Sequence, residues 1–276
     1  MFEKFSRSWE LVKASAAVLR SDKELMLFPI LSGAATLLVL ATFALPMFAL
    51  RIFADGFGVG GAMFGFLFYF CQYTVIIFFN CALVGAAMIR LDGGDPTLRD
   101  GLAAATSRLP SILGYAAISA TVGVLLQALK NKDNFVIRLL GSGLGVAWTL
   151  ATFLVVPVLV SRDIGPIDAL RQSMGLLKRT WGENAIGNVG IGAAFGLITF
   201  AVVLVGVGLV VLAAQASIAL AVAVGIVFAI GVLLLGIYQA ALTGIYSAAL
   251  YRFAVSNETP EAFRGVALAQ AFTPKA

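Results

Sequence analysis

Five stretches of this chain contain no Asp, Glu, Lys or Arg: Leu25–Leu50, Gly56–Ile89, Leu109–Leu129, Leu139–Ser161 and Asn184–Tyr251. A helix that crosses a hydrocarbon layer about 30 Å thick needs about 20 apolar residues. Hydrophobic residues make up 61% of the chain and charged residues 12%, against roughly 45–50% and about 25% in soluble domains. The sequence therefore predicts an integral membrane protein.

The uncharged stretches predict six transmembrane helices in an all-α fold. The stretch Asn184–Tyr251 would be about 100 Å long as one helix, so it must turn back, and its most polar point is Ala214-Gln215-Ala216-Ser217. A further break at Gly231 or Gly236 would add a seventh span, but one long tilted helix is favoured. The predicted spans cover about residues 27–50, 63–89, 110–129, 139–161, 186–213 and 218–251.

The distribution of Lys and Arg predicts the orientation. If the N-terminus is cytoplasmic, fifteen of these residues fall on the cytoplasmic side and only Arg51, Lys130, Lys132 and Arg138 on the other. This bias places both termini in the cytoplasm. The first apolar stretch follows a charged segment and is longer than a signal-peptide core of about 7–15 residues, so we expect it to stay attached.

Three amphipathic segments precede the odd-numbered spans, and a fourth, shorter one follows the last span. Apolar residues recur at helical spacing, with charges on other faces, at about residues 3–20, 97–109, 166–181 and 260–272, as in helices that lie at the headgroup level. We interpret residues 1–276 as one membrane domain with three similar units, about 3–90, 97–162 and 166–252, each an amphipathic helix and a transmembrane hairpin. The alternative is that cytoplasmic loops collect basic amphipathic segments without any repeat.

Few residues could support catalysis. The chain has no His, which removes histidine base catalysis and His-ligated metals, and it contains no recognised nucleotide or metal motif. We expect no catalytic residues, no metal site, no cofactor and no enzymatic activity. The acidic loop Leu91–Asp95 lacks the ligands of an EF-hand and is interpreted as a solvated turn.

Several polar residues fall within the predicted spans and could line a cavity: Gln72, Asn80, Thr152, Gln239 and Thr243. Asn80, Thr152 and Thr243 each lie nine or ten residues before an arginine that closes a span, so they would face a common axis at one depth. The favoured alternative is hydrogen bonding between helices, worth about 0.6 kcal/mol per contact.

Basic residues flank the spans and do not form a separate stripe, which favours anionic lipid headgroups over nucleic acid as the acidic partner. The candidate headgroup contacts are Lys4, Arg7, Lys13, Arg20, Arg90, Arg162, Lys178, Arg179 and Arg252. GxxxG spacings such as Gly141–Gly145 predict close helix packing within the subunit first, and contacts with a membrane-protein partner or in a homo-oligomer second.

The N-terminal text Ser8-Trp9-Glu10-Leu11-Val12-Lys13, continued by Val18–Leu25 and Phe28-Pro29, resembles a family of uncharacterised bacterial multi-pass membrane proteins. The resemblance implies a bacterial inner-membrane protein and transfers no functional residues. A looser similarity is to the membrane domain attached to some bacterial glycerophosphodiester phosphodiesterases, but the hydrolase half is missing from this sequence.

Three functional hypotheses follow. The first is a non-enzymatic, lipid-interacting scaffold or accessory subunit. The second is a transporter or channel for a small neutral or amphiphilic solute. The third is an enzyme that acts on lipids through Asp92, Asp95 and Asp163, which is the weakest because no base, nucleophile or metal set accompanies these carboxylates.

Overall fold

The structure is a computed structural model of the 276-residue chain. It describes residues 2–49, 59–130, 135–181 and 190–256, together with Pro260 and Phe263. Within these residues the chain is helical and has no strand, which confirms the all-α class. Most of the predicted helix at 260–272 lies outside the described residues.

Ten α-helices and one short 3₁₀ helix, Lys23–Met26, make up the described part of the chain. The α-helices are α1 (Phe2–Ser21), α2 (Leu27–Ala49), α3 (Val59–Leu91), α4 (Leu98–Ser107), α5 (Leu109–Lys130), α6 (Phe135–Thr152), α7 (Val155–Ser161), α8 (Pro166–Trp181), α9 (Gly190–Ala216) and α10 (Ile218–Ser256).

Six segments of the described helices are long and apolar enough to cross a membrane, as predicted. They are Lys23–Met47, Gly60–Leu91, Leu109–Leu129, Leu139–Ser161, Ile198–Ala216 and Ile218–Ser256. Helix α10 runs without interruption through Gly231 and Gly236. It has 39 residues and is therefore about 58 Å long, so it must tilt or extend beyond a hydrocarbon layer of about 30 Å.

Side-chain caps fix the 3₁₀ helix at the start of the first span and helix α4 between the second and third spans. Asp22 caps the 3₁₀ helix by accepting the Glu24 N–H. Thr97 and Asp100 form a capping box at the start of α4, and the Glu24 carboxylate accepts the Leu98 N–H at 2.9 Å. These acceptors satisfy amide groups that an isolated helix start leaves unpaired.

A glycine ends α3. Gly93 has a φ of 86°, and the Gly94 N–H bonds back to the Ile89 carbonyl at 3.0 Å. This is the left-handed helix ending that glycine adopts without steric cost. The turn directs the chain from the end of α3 into α4.

The fourth span is interrupted, whereas the sequence predicted one helix over 139–161. Helix α6 ends at Thr152 and α7 begins at Val155. The physical reason is Pro157, which has no N–H to donate to the Phe153 carbonyl four residues earlier and whose ring would collide with that carbonyl. A hydroxyl group from α8 stabilises the break, as described below.

The helices α1, α4 and α8 each pack on different membrane helices. α4 packs on α3, α8 packs on α6 and α7, and α1 packs on α9 and α10. The spans α2 and α3, α5 and α6, and α9 and α10 pack as pairs, and α3, α7 and α10 all contact one another. The second, fourth and sixth spans therefore meet along a common line.

Buried residues concentrate at one end of the spans, where Arg90, Arg162 and Arg252 lie; we call this the arginine end. The core includes Leu83 of α3, Leu159 of α7 and Leu250 of α10, together with residues of α1, α4 and α8. Away from this end the spans expose large apolar side chains such as Leu38, Leu204 and Val227. Exposed apolar surface on a spanning helix is what a lipid environment requires.

Close approach of small residues holds α4 against α3. A Cβ atom on Gly85 would lie 2.7 Å from the Ala104 Cβ, and one on Gly101 would lie 2.7 Å from the Ala82 carbonyl oxygen and also collide with the Phe28 ring. Glycine at these positions lets the two helix backbones approach closely. As a result α4 is partly buried among α2 and α3.

Candidate functional site

A cavity lined by four polar side chains and by apolar residues lies where the second, fourth and sixth spans meet; we call it the central cavity. Its volume is about 350 Å³, at the lower end of the range for ligand sites, and it opens partly to the surface. Its lining is contributed by α3, α10 and the interruption between α6 and α7: Asn80, Val84, Phe153, Val156, Gly236, Gln239, Ala240, Thr243, Gly244 and Ser247. Asn80 lies about 15 Å along α3 from Arg90, which is about half of a hydrocarbon thickness.

Two amide side chains in this cavity are not satisfied by the protein. Among the described residues, neither the Asn80 nor the Gln239 side chain has a hydrogen-bond partner. The Thr243 hydroxyl donates to the Gln239 carbonyl at 2.9 Å, and the Ser247 hydroxyl donates to the Gly244 carbonyl at 2.8 Å. Because polar groups at membrane depth are costly when unpaired, the two amides call for a polar occupant or water.

A second cavity adjoins the first; we call it the lateral cleft. It has a volume of about 310 Å³ and lies between α2, α3 and α10. Its walls are mostly apolar, with Ile76, Phe79, Leu233 and Ile237 among them, and its polar side chains from α2 are Ser32 and Thr36. Asn80, Gly236 and Ala240 line both cavities, so the lateral cleft meets the central cavity at Asn80.

The interruption of the fourth span forms part of the wall of the central cavity. The Ser173 hydroxyl, which comes from α8, donates to the Ala151 carbonyl at 2.7 Å and accepts the Leu154 N–H at 3.2 Å. Ser173 is fully buried. Non-helical backbone at membrane depth is tolerated where protein buries it or where it lines a cavity, and both conditions hold here.

The structure brings together three of the five residues that the sequence suggested as cavity-lining, namely Asn80, Gln239 and Thr243. Gln72 and Thr152 line neither cavity. The Gln72 Oε1 is buried without a partner among the described residues. The Thr152 hydroxyl donates to the Trp148 carbonyl at 2.8 Å, and its neighbour Phe153 lines the cavity instead, because the helix breaks at that point.

Arginine–carboxylate pairs connect the helices at the arginine end. Arg108 pairs with Asp163 at 2.6 Å, and Arg252, at the end of α10, pairs with Asp92 in the loop after α3. Arg90 pairs with Asp95 at 3.4 Å. The three carboxylates that a lipid-acting enzyme would have used are thus each paired with an arginine.

Arg90 also joins α1 to α3. Its guanidinium donates to the Gly94 carbonyl at 3.1 Å and to the Ser21 carbonyl at 3.5 Å. Nearby, burial raises the pKa of the Asp22 carboxyl, which the Glu24 N–H and the Arg90 charge only partly offset. Arg90 therefore links the end of α1 to the loop that follows α3.

The other candidate headgroup contacts divide into two groups. Lys13, Arg20, Arg162 and Lys178 are exposed, and none of them takes part in an ion pair between described residues. The side chains of Lys4, Arg7 and Arg179 lie outside the described part of the structure. Arg90 and Arg252 are paired with carboxylates and retain 28% side-chain exposure each.

Sequence reasoning missed Ser173 and the lateral cleft. The signal for the break was Pro157 within an apolar stretch, but no sequence pattern showed that α8 supplies the hydroxyl that stabilises it. The cleft depends on which helices pack together, so local spacing could not reveal it. Among the described residues, no group of three or more His, Cys, Asp or Glu side chains could hold a metal ion.

Comparison with known proteins supplies a family. The model of DUF6159, a family of unknown function, matches residues 59–261. The matched region begins after the N-terminal text that carried the resemblance noted above. No curated protein matches the chain.

Proposed function

Since the chain belongs to the DUF6159 family, whose function is unknown, we propose from its geometry that it is a non-enzymatic transporter or channel for a small neutral or amphiphilic solute. The observation that carries the proposal is the central cavity, in which Asn80 and Gln239 present unpaired amides beside an interrupted helix. Broken helices that line a cavity near the bilayer midplane are typical of solute sites in transporters.

The lining of the cavity favours an uncharged solute. Among the residues that the structure describes, no Asp, Glu, Lys or Arg lines the central cavity, and a charge moved to this depth without a partner would be costly. Amide and hydroxyl groups can both donate and accept hydrogen bonds. A solute with hydroxyl or amide groups would form hydrogen bonds with the Asn80 and Gln239 side chains. These bonds would replace the hydrogen bonds that the solute makes with water.

The packing order supports an axial route. The amphipathic helix of each proposed unit packs on the hairpin of the preceding unit: α4 on α3, α8 on α6 and α7, and α1 on α9 and α10. Such a cycle is what three like-oriented units around an axis along the membrane normal would give. The central cavity lies where the second helices of the three hairpins meet. The Lys and Arg distribution favours a cytoplasmic location for the arginine end and both termini, and the resemblance of the N-terminal text favours a bacterial inner membrane.

Solute flux into liposomes tests the proposal. Purified protein would be reconstituted in phosphatidylcholine vesicles, and uptake of radiolabelled urea, glycerol and monobutyrin compared with that of protein-free vesicles. We expect faster uptake of at least one of these solutes. Asn80→Leu and Gln239→Leu should each reduce the protein-dependent rate at least tenfold, because each removes hydrogen-bonding groups from the route.

The matched control is Gln215→Leu, which replaces an amide by the same apolar side chain at an exposed position in the last turn of α9. It should leave uptake unchanged. Uptake of all three solutes at the protein-free rate would overturn the proposal, and so would equal losses in the control and the cavity variants.

A second function, engagement of anionic lipid as a scaffold, is favoured by the exposed cations Lys13, Arg20, Arg162 and Lys178. Cations near an anionic surface contribute about 1 kcal/mol each. Replacing all four by Gln should reduce the anionic lipid that copurifies with the protein, measured by native mass spectrometry. Unchanged lipid retention would contradict this role.

A further inference from the structure

We propose that the lateral cleft holds the hydrocarbon chain of a single-chain amphiphile whose uncharged, hydroxyl-bearing head occupies the central cavity. This inference rests on the proposed function and names the substrate class more closely. It is carried by the junction of the two cavities at Asn80, Gly236 and Ala240.

The side chains that line the joined cavities change from partly polar to mainly apolar along their length. The central cavity presents Asn80, Gln239, Thr243 and Ser247. The lateral cleft presents mainly apolar side chains, including Phe28, Ile76, Phe79, Leu233 and Ile237. A ligand that fills both must be polar at one end and apolar at the other.

The lateral cleft is accessible to a hydrocarbon chain from the bilayer. The cleft lies between α2 and α10 and is partly open, and both helices expose large apolar side chains close to it in sequence, such as Leu37 on α2 and Ile230 on α10. The gap between the two helices therefore faces the medium that surrounds an apolar helix surface, which is lipid. A chain could enter sideways without crossing water.

The lining of the two cavities favours an uncharged head on the amphiphile. Within the described part of the chain, neither cavity is lined by an Asp, Glu, Lys or Arg side chain, so a phosphate or carboxylate head would meet no counter-charge there. A glycerol-type head offers hydroxyl groups that can donate to the amide oxygens and accept from the amide N–H groups of Asn80 and Gln239. A monoacylglycerol is the simplest molecule that meets both requirements.

Photolabelling tests this inference. The full chain in phosphatidylcholine nanodiscs would be irradiated with monolaurin that carries a diazirine at the end of its chain, and labelled residues mapped by peptide mass spectrometry. We expect labels at residues 32–36 and 233–237, and unlabelled monolaurin should reduce this labelling several-fold. Labels on the exposed face of α9, for example at Leu204, should not be reduced, because bulk lipid contacts that face.

Two leucine substitutions supply the matched pair. A Cβ on Gly33, which lines the cleft, meets nothing within 4 Å, and the same holds for Gly231, which lines neither cavity. Gly33→Leu should fill the cleft without a backbone collision and reduce its labelling at least fivefold. Gly231→Leu should leave the labelling at the wild-type level.

A lysophosphatidylcholine with the same diazirine chain tests the head. It should label the exposed face of α9 but not the cleft. Cleft labelling that monolaurin does not reduce, or equal labelling by both probes, would overturn the chain site, whereas the solute route would stand if uptake still depended on Asn80 and Gln239. Loss of that dependence would instead overturn the proposed function.

Discussion

Asp92, in the loop after the second span, forms an ion pair with Arg252 at the end of the sixth span. The pair connects the first of the proposed units to the last. The side chains are 28% exposed for Arg252 and 56% for Asp92, so solvent screens part of the attraction. The ion pair therefore contributes more to the arrangement of the units than to the free energy of unfolding.

Arg252→Gln should lower the melting temperature by no more than about 3 °C, because a partly exposed pair contributes up to about 1 kcal/mol. Thermal unfolding in nanodiscs, followed by tryptophan fluorescence, measures the change. Arg252→Asp should be more harmful because it faces the Asp92 carboxylate. Adding Asp92→Arg to that variant should recover most of the loss, and failure to recover would contradict the pairing.

Ser173→Ala should destabilise the protein by about 1–3 kcal/mol, since it leaves the Ala151 carbonyl and the buried Leu154 N–H without the hydroxyl that joins them. The matched control is Ser107→Ala. The Ser107 hydroxyl is exposed and donates only to the Ala104 carbonyl within its own helix, so its loss should change the melting temperature little. Equal effects of the two substitutions would show that the bridge at the break is not important.

The number and type of membrane helices could be predicted because they depend on local composition. Uncharged stretches of about 20 residues give spans in lipid, and the end of α3 follows from Gly93 within a polar loop. The break in the fourth span also has a local cause, because Pro157 interrupts the helical hydrogen bonds of an otherwise continuous apolar stretch.

The cavities could not be predicted in full because they depend on tertiary packing. Helical spacing placed Asn80 and Thr243 at similar depth, and both line the central cavity. It could not show that the break turns Phe153 toward the cavity in place of Thr152. The close approach of Gly101 to Phe28 and Ala82 likewise joins α4 to α2 and α3 through tertiary packing, which local spacing does not reveal.

Gly101→Ala and Gly175→Ala should have opposite effects on stability. A methyl group on Gly101 would collide with the Phe28 ring and the Ala82 carbonyl, whereas one on Gly175 meets nothing within 4 Å. We expect the first to cost about 1–3 kcal/mol through overpacking, and the second to stabilise α8 by about 0.5–1 kcal/mol because alanine favours a helix. Melting temperatures of the two variants check both signs, and a stabilising Gly101→Ala would contradict the packing of α4 on α3.

The capping box of α4 should make stability depend on pH. The Thr97 hydroxyl and the Thr97 N–H donate to the Asp100 carboxylate at 2.7 Å and 2.9 Å, and these bonds lower the pKa of Asp100 below its usual 3.8. A lowered folded-state pKa contributes stability that is present above 3.8 and is lost as the pH falls through the lowered value.

The melting temperature of Asp100→Asn should therefore lie below that of the wild-type protein at pH 7, and the difference should shrink as the pH falls below 3.8. Asp22 acts with the opposite sign, because its raised pKa makes its contribution fall as the pH rises from 3.8 through the raised value. Comparing proteins that differ only at position 100 cancels that effect. Thr97→Ala should reduce the pH dependence in the same way as Asp100→Asn, since it removes one of the two donors to the carboxylate. If the difference in melting temperature between Asp100→Asn and the wild-type protein stays constant from pH 7 to pH 3, the carboxylate charge does not stabilise α4.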